Sequence, residues 1–128
     1  MPATAQSIGT KLVALCQQGK NMEAINTLYD KDIVSVEPAK MPGHEQTMKG
    51  IDQIRGKTEW WFANHKVHSS TAEGPFPHGE DRFAVIFDLD VTPTAGPMAN
   101  QRMKMREVGL YTVKNGKVVK EEFFYGMG

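Results

Sequence analysis

The sequence predicts an α+β domain, with three N-terminal helices packed on a strongly curved antiparallel or mixed β-sheet that encloses a pocket. Three observations carry that prediction. Apolar residues recur at helical spacing in three stretches up to about residue 65, the period changes to two from Lys66 onward, and an Asn115-Gly116 pair separates two alternating segments. Helices bury their apolar stripes on a neighbouring layer, and one face of an antiparallel sheet supplies that layer. Three helices cannot fill the hollow of a strongly bent sheet, so a cavity is expected between the layers.

Residues 5–18 place Ile8, Leu12, Leu15 and Cys16 on one helical face, and Gly19 stands where the helix should end. Asn21 is a good N-cap for a second helix, whose stripe is Met22, Ile25, Leu28 and Tyr29 and which stops near Asp30. Residues 33–36 form a short β segment closed by Pro38, which has no N–H to donate. Residues 39–50 are rich in turn formers, with a short strand around residues 46–48. A third helix follows Gly50 and runs to about His65. It places Ile51, Ile54, Thr58, Trp61 and His65 on one face and Gln53, Lys57, Trp60 and Asn64 on the next.

Residues 67–73 read as a strand, followed by a Gly-Pro-Phe-Pro-His-Gly turn region. Residues 82–92 alternate, with Phe83, Val85, Phe87, Leu89 and Val91 on one face and Ala84, Ile86, Asp88 and Asp90 on the other. A loop over residues 93–100 leads to a strand over 102–113. The Asn-Gly turn, which needs positive φ at both positions, sets up a final strand over 117–125.

The 128 residues fit a single domain spanning 1–128, large enough to bury a core without disulfides. Lys plus Arg and Asp plus Glu are 15 each, so the chain lacks the basic excess of a nucleic-acid binder and has little charge repulsion between copies. Cys16 is the only cysteine, no secretory leader is visible, and no apolar run approaches bilayer length. The expectation is a cytoplasmic protein with no nucleic-acid or membrane partner.

The runs LVALCQQGKNMEAINTLYDKDIVSVEP, GIDQIRGKTEWW and YTVKNGKVVKEEFFY, in that order, resemble the SnoaL-like branch of the nuclear transport factor 2-like superfamily, from about Lys11 to Tyr125. EGPFPHG, FDLDVTP and EEFFY together resemble its members of unassigned function. The resemblance implies a cone-shaped α+β barrel with a deep pocket, usually a homodimer packed through the sheet. Relatives include polyketide cyclases, ketosteroid isomerases, dehydratases, epoxide hydrolases and non-catalytic binding domains, so the fold does not choose the activity. Ketosteroid isomerases of this fold carry a catalytic aspartate before a proline after the first strand, and Glu37-Pro38 occupies that position here. Their two oxyanion donors align with Lys11 and with a position near Gly109, so both donors are missing and that mechanism is not expected.

A working acid or base must lie in the pocket, where burial moves its pKa towards neutrality. On the strand over 102–113, Arg102, Lys104 and Arg106 share one face, while Met103, Met105, Glu107, Gly109, Tyr111 and Val113 share the other. Glu107 is the single charge on that apolar face. The Asn-Gly register sets Gly109 opposite Glu122 and Glu107 opposite Phe124, which puts two carboxylates on one face with room beside Gly109. Pairing of Glu107 with a basic residue, and an exposed turn position for Glu37, are the competing readings. Asp88 and Asp90 resemble a catalytic pair but fit cross-strand ion pairs with Arg102, Lys104 or Arg106 better.

Tyr29, Trp61, Phe87, Met105, Glu122, Phe124 and Tyr125 are candidate lining residues, Trp60 a candidate rim residue, and ordinary core packing is the rival for each aromatic. His44, His65, His68 and His78 form no compact ligand motif, so no metal is expected, and no cofactor motif is present. Two functions fit. One is a cofactor-free isomerase, cyclase or dehydratase with Glu37 or Glu107 as general base. The other is a non-catalytic protein that binds a small apolar or aromatic ligand or acts as a dimeric interaction module.

Overall fold

The structure is a computed structural model that describes residues 4–39 and 45–125. In chain order the elements are α1 (Ala5–Gln17), α2 (Asn21–Leu28), β1 (Tyr29–Val36), β2 (Thr47–Lys49), α3 (Ile51–Ala63), β3 (His65–Pro77), β4 (Arg82–Pro93), β5 (Met103–Lys114) and β6 (Lys117–Tyr125). The predicted class holds: three helices pack on a six-stranded mixed sheet of order β2-β1-β6-β5-β4-β3. β1 runs parallel to β6 and every other pair is antiparallel. The sheet does not close into a barrel; β2 and β3 remain edges. α3 leaves the β2 edge and delivers the chain to the β3 edge, so it roofs one face of the sheet.

α1 begins at a reciprocal cap, in which Thr4 and Ser7 each accept the other's backbone N–H at 3.0 Å. Its inner face of Ile8, Leu12, Val13 and Cys16 is buried. Gly9 lets the helix approach the sheet: a Cβ there would stand 2.8 Å from Pro75 Cβ and 3.0 Å from the Phe83 ring. In α2 the cap position is Lys20, not the expected Asn21, whose side-chain amide instead reaches Cys16 Sγ at 3.6 Å. Tyr29 also departs from expectation, since it opens β1 rather than extending the helix. Its backbone pairs with Val118 and its hydroxyl bonds Glu121, tertiary partners that outweigh the local helical spacing.

α3 ends at Ala63, so His65 belongs to β3. β3 is longer than expected and runs through Gly-Pro-Phe-Pro, with Phe76 opposite Ala84 and Pro77 opposite Phe83. An edge strand tolerates proline because one side of it needs no donor. The core centres on Leu12, Ile33, Ile54, Phe83, Val85, Val91 and Val118, all at most 1% exposed. Burial of each such side chain contributes roughly 1.5–3 kcal/mol. Among the described residues no helix is long and apolar enough to cross a membrane.

The largest correction concerns β6. Asn115 and Gly116 form the tight turn with φ of 53° and 76°. Lys114 then pairs with Lys117 and Val113 with Val118, but Thr112 pairs with Lys120, so Val119 is an extra residue on β6. Beyond this bulge Tyr111 faces Glu121, Gly109 faces Phe123 and Glu107 faces Tyr125. The register expected from the turn alone is therefore off by one. Glu122 and Phe124 lie on the outer face, and Glu121, Phe123 and Tyr125 lie on the inner one.

Candidate functional site

The inner face of the sheet and the helices enclose a cavity of about 830 Å³. Trp61, Phe87, Met103, Met105 and Phe123 supply apolar wall, and polar groups converge from four elements: Tyr29 and Glu37 from β1 and its end, Lys57 from α3, Glu107 and Tyr111 from β5, and Glu121 from β6.

β1 alternates so that Ile33 and Ser35 point inward, with Glu37 following them. Lys57 stands three residues after the buried Ile54 and four before Trp61, so the helix carries its ammonium to the same interior. Lys57 Nζ donates to Ser35 Oγ at 2.7 Å and to Glu37 Oε1 at 2.9 Å, and lies 3.8 Å from Glu121 Oε1. Ser35 Oγ donates to Glu121 Oε1 at 2.8 Å, and the Tyr29 hydroxyl bonds Glu121 Oε2. Tyr111 lines the cavity as well and stacks on Phe83, ring centroids 5.0 Å apart. Thus Glu121, only 3% exposed, is held by three residues from distant parts of the chain.

Burial pushes the Glu121 carboxyl upward; Lys57 and the Tyr29 and Ser35 hydroxyls pull it back, while Glu37 adds to the rise. Burial also raises the Tyr29 and Tyr111 phenols well above their ordinary value, so both remain neutral, and it pushes the Cys16 thiol up to about 12. Gly109 makes room for Tyr111: a Cβ there would lie 2.8 Å from the Tyr111 ring and 3.0 Å from its hydroxyl.

Glu107 differs from its two neighbours. It lines the cavity, and among the described residues it has no hydrogen bond or ion pair to its carboxylate. Desolvation, then repulsion from Glu37 and Glu121, pushes it up to about 7 against a weaker pull from Lys57. A carboxyl at that value is divided between acid and base near neutral pH, as proton transfer requires.

Of the residues singled out from the sequence, Glu37, Glu107, Tyr29, Trp61, Phe87 and Met105 line this cavity, as does Tyr125. Trp61 is half-buried and stacks on His65 with centroids 4.3 Å apart. Glu122 and Phe124 do not line it. Glu122 lies 3.4 Å from Lys120, and Phe124 is 50% exposed, because the Val119 bulge turns both outward. Lys57, Ser35, Glu121 and Phe123 were not picked out by sequence reasoning as site residues. The alternation of β1 is enough to place Ser35; Lys57, expected on the face next to that of Ile54 and Trp61, stands three residues after one and four before the other and reaches the same interior.

Asp88 and Asp90 lie on the outer face, as expected, where Arg106 lies 3.7 Å from Asp88 and Arg102 holds Asp90 at 2.8 and 2.9 Å. A shallower hollow of about 330 Å³ lies among these pairs, with Ser69, Thr71 and Lys104, and has no aromatic wall. Among the described residues no three His, Cys, Asp or Glu side chains group to hold a metal ion; His44 lies outside the described residues.

Comparison with known proteins gives a family and a fold. A family model described as a SnoaL-like domain matches residues 3–125. A protein from Mesorhizobium loti, described as a candidate SnoaL-like polyketide cyclase and carbohydrate phosphatase, is 42% identical, with 92% of this chain and 96% of that one covered and a TM-score of 0.84. A candidate isomerase from Bacillus subtilis superposes with a TM-score of 0.70 at 14% identity, covering 91% of this chain and 82% of that one. A protein of ketosteroid isomerase-like fold from Catenulispora acidiphila, solved in complex with trimethylamine, does so with a TM-score of 0.70 at 22% identity, covering 97% and 88%. The last two speak to fold alone. No curated protein matches the chain.

Proposed function

The chain belongs to the SnoaL-like family, and on that premise we propose that it is an enzyme that moves a proton on a small, largely apolar or aromatic substrate, with Glu107 as general base. Isomerisation, cyclisation and dehydration all require such a transfer. The observation that carries this reading is the Glu107 carboxyl in the cavity, which has no hydrogen bond or ion pair among the described residues and which burial pushes up to about 7. In its ionised form it takes a proton from a carbon beside an electron-withdrawing group, and the electron pair of that C–H bond moves toward the acceptor. The resulting carboxylic acid returns the proton at a second position or to a leaving group. Lys57, bound to Ser35 and Glu37 and near Glu121, tempers the negative charge of the cavity wall. Glu37, bound to Lys57 at 2.9 Å, fixes that ammonium and is less suited to act as base.

The reading can be tested without the natural substrate. 5-Nitrobenzisoxazole opens to a cyanophenolate when a base removes its C3 proton and the N–O bond breaks, which makes it a probe for a desolvated carboxylate. Turnover should rise with pH through about 7, and Glu107→Gln should lower it about 100-fold or more. Equal turnover by the parent and the variant would reject Glu107 as base.

A homodimer through the outer face of the sheet is part of the same reading. Phe76 and Phe124 stand exposed on that face beside half-buried Ile86, Val108 and Leu110, an apolar strip that a second copy would cover. Sedimentation of the parent as a dimer and of Phe124→Asp as a monomer is the expected result. A monomeric parent at micromolar concentration removes this part. A cytoplasmic setting suits the single, buried thiol.

A further inference from the structure

We propose that the ligand of this cavity carries an organic cation, a protonated or quaternary amine on an apolar or aromatic body, and that its charge sits at Glu107 between Phe87 and Tyr125. This inference rests on the cavity assigned above as the reaction site and names the substrate class it would take.

Charge is the first argument. Glu37, Glu107 and Glu121 reach the cavity from three different stretches of chain, and Lys57 is the one Lys or Arg among the described lining residues. Its ammonium is committed to Glu37 and Ser35 and stands near Glu121. That leaves Glu107 with no cation bound to it among the described residues. An anionic ligand would meet surplus carboxylate, and a neutral apolar one would strip water from Glu107 and offer nothing in exchange. A cation removes both penalties.

Wall chemistry is the second. Phe87 lies directly across from Glu107 on β4, and Tyr125 directly across from it on β6. Side chains so opposed stand about 4.5–5.5 Å apart at Cβ, so the carboxylate is flanked by an aromatic ring on either side. Aromatic faces attract cations, and this cavity already shows the contact, with Lys57 Nζ 5.4 Å from the centre of the Phe123 ring. Phe123 is thereby taken and Trp61 is stacked on His65, which leaves the row Phe87–Glu107–Tyr125 as the open aromatic-and-acidic position.

Occupation of that position alters the proton on Glu107. The groups that face it are Glu37 and Tyr29 from β1 and its end, Lys57 from α3, Tyr111 on its own strand, and Glu121 and Tyr125 from β6. His65 and Glu45 also line the cavity. A bound cation favours ionised Glu107, so binding releases a proton near neutral pH and leaves the carboxylate in the state a base needs.

Calorimetry on the full chain with benzyltrimethylammonium and an uncharged aryl ketone of similar size, tert-butyl phenyl ketone, tests this. At pH 8 the cation should bind about tenfold or more tightly than the ketone. Between pH 8 and pH 6 the ionised share of Glu107 falls from about nine-tenths to about one-tenth, so cation affinity should fall about tenfold while ketone affinity does not fall. Near pH 7, titration in buffers of different ionisation enthalpy should show about half a proton released per cation bound. Glu107→Gln should lose the preference for charge and its pH dependence. Equal affinities, tighter ketone binding, or no cation binding at about 10 mM would each overturn the proposal. The base assignment fails separately, by unchanged 5-nitrobenzisoxazole turnover in Glu107→Gln, and that result leaves the charge preference standing.

Discussion

Glu107→Gln should make the protein more stable at pH 8 while removing the proposed base. The carboxyl rises from an ordinary 4.5 to about 7 in the fold, with desolvation as the largest cause. At about 1.4 kcal/mol for each pH unit between those values, ionised Glu107 weakens the folded state by about 3 kcal/mol. The folded value lies above the unfolded one, so this stability is fully present below pH 4.5 and is lost as the pH climbs through 7. Glutamine has nearly the same shape and cannot ionise. The variant should therefore exceed the parent by about 3 kcal/mol at pH 8 and by less than about 1 kcal/mol at pH 5. Near pH 8 that corresponds to a rise of about 10 °C in Tm for a chain of this size. Urea denaturation of both proteins at the two pH values measures the difference directly. If the two stabilities run parallel with pH, or the variant is weaker at pH 8, Glu107 does not carry an uncompensated charge in the fold.

Lys57→Met removes the ammonium bound to Ser35 and Glu37 and near Glu121. It should destabilise the protein by about 3 kcal/mol at pH 8 and by less at pH 5, where the abandoned Glu121 carboxyl, already raised by burial, takes up a proton; denaturation at both values checks this. Gly109→Ala puts a methyl group 2.8 Å from the Tyr111 ring, and an overpacking loss of about 1–3 kcal/mol should appear in the urea midpoint. An unchanged midpoint would mean that Tyr111 is free to move.

Much of the fold and half of the site follow from alternation and turn chemistry. Strand β4 buries Phe83, Val85 and Phe87 and exposes Asp88, as its period-two pattern requires. The same logic sent Glu107 inward and Arg102 and Arg106 outward, and Asn115-Gly116 placed the final turn. What local pattern does not contain is the bulge. One extra residue at Val119 exchanges the faces of β6 beyond it, so Glu121 rather than Glu122 joins the cavity. Tyr29 continues the spacing of α2 and still opens a strand, because Glu121 and Val118 are its partners at long range. Lys57 and Ser35 lay on legible faces, but their meeting with Glu37 and Glu121 depends on how α3, β1 and β6 dock.

The position of β6 beside β1 bears on how the protein is made. Tyr29 and Glu121 are 92 residues apart, and Ser35 and Glu121 are 86 apart. On the ribosome, the helices and β1 emerge long before the strand that must lie between β1 and β5. The Glu121 end of this cluster therefore joins only once β6 is made, whereas Lys57, Ser35 and Glu37 can already meet before it. A nascent chain halted at the Asn-Gly turn would hold every wall of the chamber but the one that joins its two halves.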